Sequence, residues 1–461
     1  MLRKKPRLSE AHVLPLELLV KVTSYVGDAE TLFTFLDALG TADARGPLEP
    51  LWQLGRLQKP KHVWPTLRLT KYILEDAACR RHLEAAIQHI LYVEVTWVRA
   101  LEWLCRHVHP PTAIIWSTSL LSPLIRNAPT AWFAKWTNLP LVHLTLFLSP
   151  TDHGDIAEAF YAVLPRCTGL TRLELKGSLN LEAILTLAAT STKIVELNLS
   201  GSNAPPTVTT AVLGLAMQWL EATNVEALRF CHWNWDATVD KAIRGAFYTA
   251  LFGCSTMETI VFRSCKLPGI HLTAPFGVRT LSLTDCFVSP SSLRGLAQAL
   301  PQSYLRELTL EIKRAGGSDD VYLDAFDALF RGLAHSNVKS LSLRRCRLGD
   351  SYWLRLAPFL QRSKVEAVDL GHNTIANEGA IWIAQAVAAN SSIRTLNLTG
   401  NAIETDGAVA LLNVNTQRPL LLEEINLLGN AIDSDEESDW LSPLATKRGF
   451  TTFNSEPVSH Y

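Results

Sequence analysis

The nearest thing to a reactive cluster in this chain is Cys231, His232 and Asp236, in the run FCHWNWD. A thiol, an imidazole and a carboxylate are the parts of a nucleophile–base–orienter relay. Such a relay needs the thiol and the ring within hydrogen-bond reach. Neighbouring residues of a strand point to opposite faces, so no catalytic role is expected here. No GxxxxGK[ST] phosphate loop, GxGxxG turn, GxSxG elbow or HExxH pair occurs elsewhere. The 13 histidines are scattered, and none sits at a zinc-like spacing from Cys, Asp or Glu. The residues therefore predict no enzyme, no cofactor and no metal centre.

Eight cysteines lie at 79, 105, 167, 231, 254, 265, 286 and 346, with no CxxC pair among them. A chain this apolar has no need of disulfide staples, so reduced thiols and an intracellular setting, cytoplasmic and/or nuclear, are expected. Hydrophobic residues make up 48% and charged residues 19%, and the net charge is -1. That balance argues against nucleic acid or an anionic membrane as partner, since both select a basic excess. No apolar run approaches the roughly 18 residues of a spanning helix.

The positions of Cys265, Cys286 and Cys346 follow from a repeat. From residue 141 on, the pattern apolar-x-x-apolar-x-apolar-x-x-N/C recurs. Its clearest copies are VEAVDLGHN from Val365, IRTLNLTGN from Ile393 and LEEINLLGN from Leu422. Cysteine ends METIVFRSC, VRTLSLTDC and VKSLSLRRC, which start at Met257, Val278 and Val338. Weaker copies start at Leu141, Leu170, Ile194, Val225 and Leu305. The mean step is about 28 residues, in the leucine-rich-repeat range. The apolar pair at the fourth and sixth positions suits one side of a short strand, and helical spacing follows, as in NEGAIWIAQAVAAN.

This pattern resembles the leucine-rich repeat family, in its ribonuclease-inhibitor-like class. The resemblance implies an α/β solenoid: a curved horseshoe with parallel strands on the concave face and helices outside. No single unit can bury its own apolar side, so neighbours must stack. Asn373, Asn401 and Asn430 would point inward and satisfy turn backbone, and the three cysteines would hold equivalent places. Metal or redox chemistry is the alternative role for those thiols; their place in the ladder favours packing. Two units depart from the pattern. KLPGIHLTAPFG, with Pro268 and Pro275, predicts no full helix, and KRAGGSDD predicts an exposed loop.

Five segments are expected: a basic tail over 1–11, a helical head over 12–55, degenerate leading repeats over 60–138, the regular solenoid over 139–432 and an acidic cap or tail over 433–461. The basic tail, MLRKKPRL, reads as an import signal or a solvated end. Five acids fall within Asp433–Asp439, a phosphorylation-responsive strip around Ser434 and Ser438 or a solvated cap. Seven tryptophans lie between 52 and 136, as core packing or as an aromatic cage.

The head contains LPLELLVKVTSYVGDAETL, which resembles the opening of an F-box. Its second half departs from that family: the usual Arg-Trp pair is missing, and LGTADARGPLEPLWQL stands where a third helix normally completes the module. The resemblance implies that Leu14, Pro15, Leu18, Leu19 and Val22 dock a Skp-type adaptor. The chain would then be the substrate-recognition subunit of a Skp–cullin–F-box type ubiquitin ligase. A stand-alone scaffold or inhibitor, with the head as a cap, and a regulator of a small GTPase are the alternatives. A nucleotide-binding immune receptor is disfavoured, because no phosphate loop precedes the repeats. A protein substrate would sit on the concave face, where Arg229, Trp233, Arg263 and Arg344 are the candidate contacts, arginine and tryptophan being frequent interface anchors.

Overall fold

The computed structural model describes residues 15–118, 125, 127–148, 154–202, 205–222, 224–270, 272, 275–314, 317–432 and 438–454. Two compact units divide the chain, Met1–Gly177 and Ser178–Tyr461.

The first unit opens with helices Leu16–Thr23 and Ala29–Ala38. Asp28 separates them as an N-cap, its carboxylate accepting from the Thr31 amide at 2.8 Å. After the short helix Ala42–Arg45, a fourth helix, Glu49–Leu57, begins inside the segment whose sequence departs from the F-box pattern. Pro50 fits its first turn, and Leu51 and Leu54 are buried on one side. Gly55 is required there, because a Cβ would meet the Phe33 ring at 2.0 Å. Parallel strands Thr66–Leu69, Tyr92–Val95, Ala113–Ser117, Leu141–Leu148 and Arg172–Gly177 come next, paired in sequence order. Helices such as Ala77–Ala86 and Pro129–Trp136 connect them. Four tryptophans of this unit, Trp64, Trp103, Trp116 and Trp136, are buried, and the rings of Trp116 and Trp136 lie 5.9 Å apart, whereas Trp52, Trp97 and Trp132 are half-buried.

The second unit is a leucine-rich repeat solenoid. Its parallel strands run from Glu196–Gly201 through Ala227–Cys231, Thr259–Arg263, Thr280–Val288 and Glu307–Arg314 to Ser340–Ser342, Ala367–Asp369, Thr395–Asn397, Glu424–Asn426 and Thr452–Asn454. The apolar pair of each copy is buried against the helices, and the intervening positions face the other way, as in Leu341 against Ser340 and Ser342. Among the described residues of 264–279 there is no helix. Ile270, Leu272 and Phe276 are buried there instead, and the Ser292 hydroxyl donates to the Ile270 carbonyl at 2.9 Å. The long unit after Glu307–Arg314 is pinned by Arg314, which ion-pairs with Asp319. Its Nη2 also donates to the Cys346 and Arg347 carbonyls at 3.2 and 3.0 Å. Ala315 and Gly316 of that loop lie outside the described residues.

In the copies that end in Asn or Cys the ninth motif position turns inward, whereas Lys313, ninth in LRELTLEIK, is exposed and ion-pairs with Asp285 at 2.7 Å. The Asn373 amide donates to the Leu343 and Leu370 carbonyls at 2.7 and 2.9 Å, and its oxygen accepts from the Cys346 and Leu348 amides. Asn401 repeats this one unit on, toward Leu370 and Leu398 and from Asn373 and Ile375. Asn430 donates to Leu398 and Leu427 and accepts from Ile403. Each asparagine thus ties its own turn to the preceding repeat. The residue before it is left-handed: His372 (φ 58°), Gly400 (φ 66°) and Gly429 (φ 68°). At Gly400 a Cβ would also meet the His372 ring at 2.3 Å.

Replacing Asn401 with alanine orphans several buried backbone groups and is expected to lower stability by roughly 2–4 kcal/mol. Asn401→Cys keeps one donor and is expected to lose clearly less. Urea midpoints of the two variants check this; equal losses would mean the side-chain bonds do not matter.

Candidate functional site

The cysteines of the ladder perform half of the asparagine's task. Cys346 Sγ donates to the Leu310 and Arg344 carbonyls at 3.1 and 3.4 Å, and Cys265 to Phe230 and Arg263 at 3.6 and 3.2 Å. Cys286 does the same toward Phe262 and Thr284, both at 3.4 Å. A thiol offers a donor and no comparable acceptor, so these turns receive less support than the asparagine turns. Burial pushes the Cys265 and Cys346 thiols up to about 12 and the Cys286 thiol up to about 11. Protonated thiols are donors rather than nucleophiles or metal ligands. Among the described residues, no three of His, Cys, Asp and Glu converge as a metal site would require.

The Cys231–His232–Asp236 cluster disperses. The strand ends at Cys231, and His232 sits in a left-handed turn at φ 58°. The Asp236 carboxylate is occupied by the Thr238 amide and hydroxyl at 2.8 and 2.6 Å.

What remains is the open face of the second unit's sheet. Arg229 lies on it and ion-pairs with Glu196 of the preceding strand. Arg344 reaches Asp369 of the following repeat at 3.2 Å. Arg263 is exposed and has no ion-pair partner among the described residues. Trp233 does not belong with them. It is only 6% exposed, stacked on Phe230 with centroids 3.5 Å apart, and it presents no face to a partner. It is the ninth residue of VEALRFCHW, so the alignment that turns Asn373 inward also turns Trp233 inward.

Beyond Arg344 the face becomes a trough of about 330 Å³ over the strands Ser340–Ser342, Ala367–Asp369, Thr395–Asn397 and Glu424–Asn426. Small side chains at Ser340, Ser342, Ala367 and Thr395 open it. Asp369, Asn397 and Asn426 share one register line across adjacent strands. Each turns a side-chain oxygen to the amide two residues on, Gly371, Thr399 and Leu428, at 3.0 Å. None of these trough residues stands among the contacts expected from residue type; the small residues at outward positions of the later copies were the signal for them. On the rim, burial, with Arg344 and Arg345 nearby, holds His372 below its ordinary value.

Of the head residues, Leu14 lies outside the described residues. Pro15 caps the first helix and is exposed. Leu18 and Val22 are 47% and 42% exposed, four residues apart on the same helix, whereas Leu19 is buried. Among the described four, Leu19 serves the core of the head, and Pro15, Leu18 and Val22 face outward.

A family model described as Leucine Rich repeat matches residues 363–384 and 389–412. Among curated proteins, the human NACHT, LRR and PYD domains-containing protein 13 is 28% identical over 173 residues, 37% of this chain. The chain spans 16% of that relative's length. Among solved structures, leiomodin-1 actin-binding site 2 matches at 20% identity and a TM-score of 0.21, over 24% of this chain and 65% of that one. The matched residues carry leucine-rich repeats, the stacked strand–helix units fit a leucine-rich repeat solenoid, and such repeats imply a protein-interaction module. No helix among the described residues is long and apolar enough to cross a membrane.

The raised thiols give a pH signature with a definite sign. A thiol raised on folding contributes its full stability below its ordinary value of 9.0 and loses it as pH climbs toward the folded value. Stability is therefore expected to fall between pH 9.0 and about 12, and a Cys265→Ser/Cys286→Ser/Cys346→Ser variant should fall less steeply over that interval. Melting temperature against pH for both proteins measures the difference; parallel curves would contradict it.

Proposed function

We propose that this chain is the substrate-recognition subunit of a Skp–cullin–F-box type ubiquitin ligase. Its open repeat face holds a protein substrate, and its first helix docks a Skp-type adaptor. Ubiquitin transfer belongs to other subunits, in keeping with a chain whose buried thiols are held protonated.

The observation that carries this reading is the outward pair Leu18 and Val22. A helix of a small head buries its apolar side chains when it can, and Leu19, Leu32, Leu36, Leu51 and Leu54 are buried in this one. Leu18 and Val22 are left in water, one helical turn apart, with Tyr25 80% exposed beyond them. An apolar strip of this kind on a helix suits an apolar partner groove.

The second reading is a stand-alone scaffold with the head as a cap. It is favoured by Trp64, two residues before the strand Thr66–Leu69, which is buried and whose indole donates to the Val26 carbonyl at 2.7 Å. That bond ties the head to the first strand of the sheet, as a cap requires. The two readings separate in one experiment. Full-length protein is co-expressed with a Skp-type adaptor and purified, beside a Leu18→Asp/Val22→Asp variant. Adaptor retention by the parent, reduced at least tenfold in the folded variant, supports the ligase reading. A parent that retains no adaptor overturns it and leaves the scaffold. For the substrate side, a photo-crosslinking residue at Thr309 on the open face should capture protein, and one at Arg331 on an outer helix should not. Equal capture from both would remove the open face as the binding surface.

A further inference from the structure

The geometry points to the trough over Ser340–Ser342, Ala367–Asp369, Thr395–Asn397 and Glu424–Asn426 as a subsite for an arginine or lysine carried on an extended segment of the protein partner. This rests on the reading of the open sheet face as the binding surface and names the chemistry of what that face receives.

Complementarity of charge is the first argument. The charged side chains that line the trough are Asp369 and Glu424, and no cation lines it. The Glu424 carboxylate has no hydrogen-bond or ion-pair partner among the described residues. Asp369 shows what such a carboxylate accepts. Arg344 Nη1 reaches over the rim to 3.2 and 3.4 Å from its two oxygens, long for a charge-assisted bond and short of a bidentate clamp. The Gly371 amide meanwhile holds the carboxylate in place at 3.0 Å. A cation entering from the open side therefore meets an oriented carboxylate that one loosely placed guanidinium leaves partly unsatisfied.

Room and backbone chemistry are the second argument. Small side chains leave about 330 Å³ above the sheet, enough for a side chain to descend between the two acids. Asp369 and Glu424 are two strands apart and two residues out of register, roughly 12 Å, a gap that two long basic side chains based about 7 Å apart on an extended segment bridge by splaying. Between and beside them, Asn397 and Asn426 spend their oxygens on the Thr399 and Leu428 amides. Their amide hydrogens have no partner among the described residues and face the trough as donors for carbonyl oxygens. Donors for a backbone and carboxylates for a cation select a basic peptide segment over an acidic one.

The test uses the full chain and fluorescein-labelled heptapeptides read by anisotropy. Gly-Arg-Gly-Arg-Gly-Arg-Gly is the probe, with the citrulline and glutamate analogues as comparisons. The arginine peptide is expected to bind at least tenfold more tightly than either analogue and to weaken as salt rises. An Asp369→Asn/Glu424→Gln variant should lose about tenfold, and Glu378→Gln on an outer helix should lose nothing. Asparagine at 369 still caps Gly371, so the fold is retained. If the double variant binds the arginine peptide as the parent does, or if the glutamate peptide binds equally well, the proposal fails. Should crosslinking from Thr309 still capture protein in that case, the open face stands as the binding surface and only the subsite falls; no capture would remove both.

Discussion

Where a repeat of the second unit ends its strand and reverses direction inside the protein, the backbone groups at that turn have no water to bond. The inward ninth residue solves this. Asn373 bonds to two carbonyls of its own turn and one of the preceding repeat, and its oxygen accepts from Cys346 and Leu348 one repeat back. A leucine could fill the space, but it would leave those groups unpaired at a cost of about 1–3 kcal/mol each. The strands keep their register because each asparagine reads both its own turn and its neighbour's. The open face is a consequence: once the apolar pair and the ladder point inward, the intervening positions must point out.

The ladder also explains the run of cysteines. Where Cys265, Cys286 and Cys346 stand, a single sulfur donor serves the carbonyls, and burial keeps each thiol protonated for that purpose. The other edge of the stack is closed differently. Asn390 donates to the carbonyls of Leu360, Gln361 and Ser363. Arg418 donates to those of Leu420, Val387 and Ile393, with burial holding its pKa below the ordinary value. Polar side chains reserved for backbone carbonyls are therefore a structural theme of the unit, and not in themselves a sign of chemistry.

Features carried by local pattern were legible in the sequence. The motif marks the strands and the inward asparagines, and Pro268 and Pro275 mark the missing helix. Features that depend on a residue one repeat away were not. Arg229 with Glu196, Arg344 with Asp369 and Arg418 with Val387 join residues 25 to 33 positions apart, and no local pattern pairs them. Trp233 differs for another reason: its type suggests an interface, while its place in the motif makes it core. Helix Glu49–Leu57 was hidden by family comparison, since its own signals, Pro50 in the first turn and Leu51 and Leu54 on one side, are ordinary helix signals.

The pairing on the open face changes which residues carry specificity. Half-exposed ion pairs contribute about 0–1 kcal/mol to stability. Their larger effect is to occupy each other, so a partner that addresses Arg229 or Arg344 must compete with Glu196 or Asp369 already in place. Arg345 with Glu311 and Lys339 with Glu366 neutralise one another in the same way. The face is mixed in sign by composition but far less so by availability. Among the described residues, Arg263 toward one end of the sheet and Glu424 in the trough toward the other are charges without an ion-pair partner. Unpaired charges of opposite sign at separated positions set the orientation of an incoming surface as well as its chemistry.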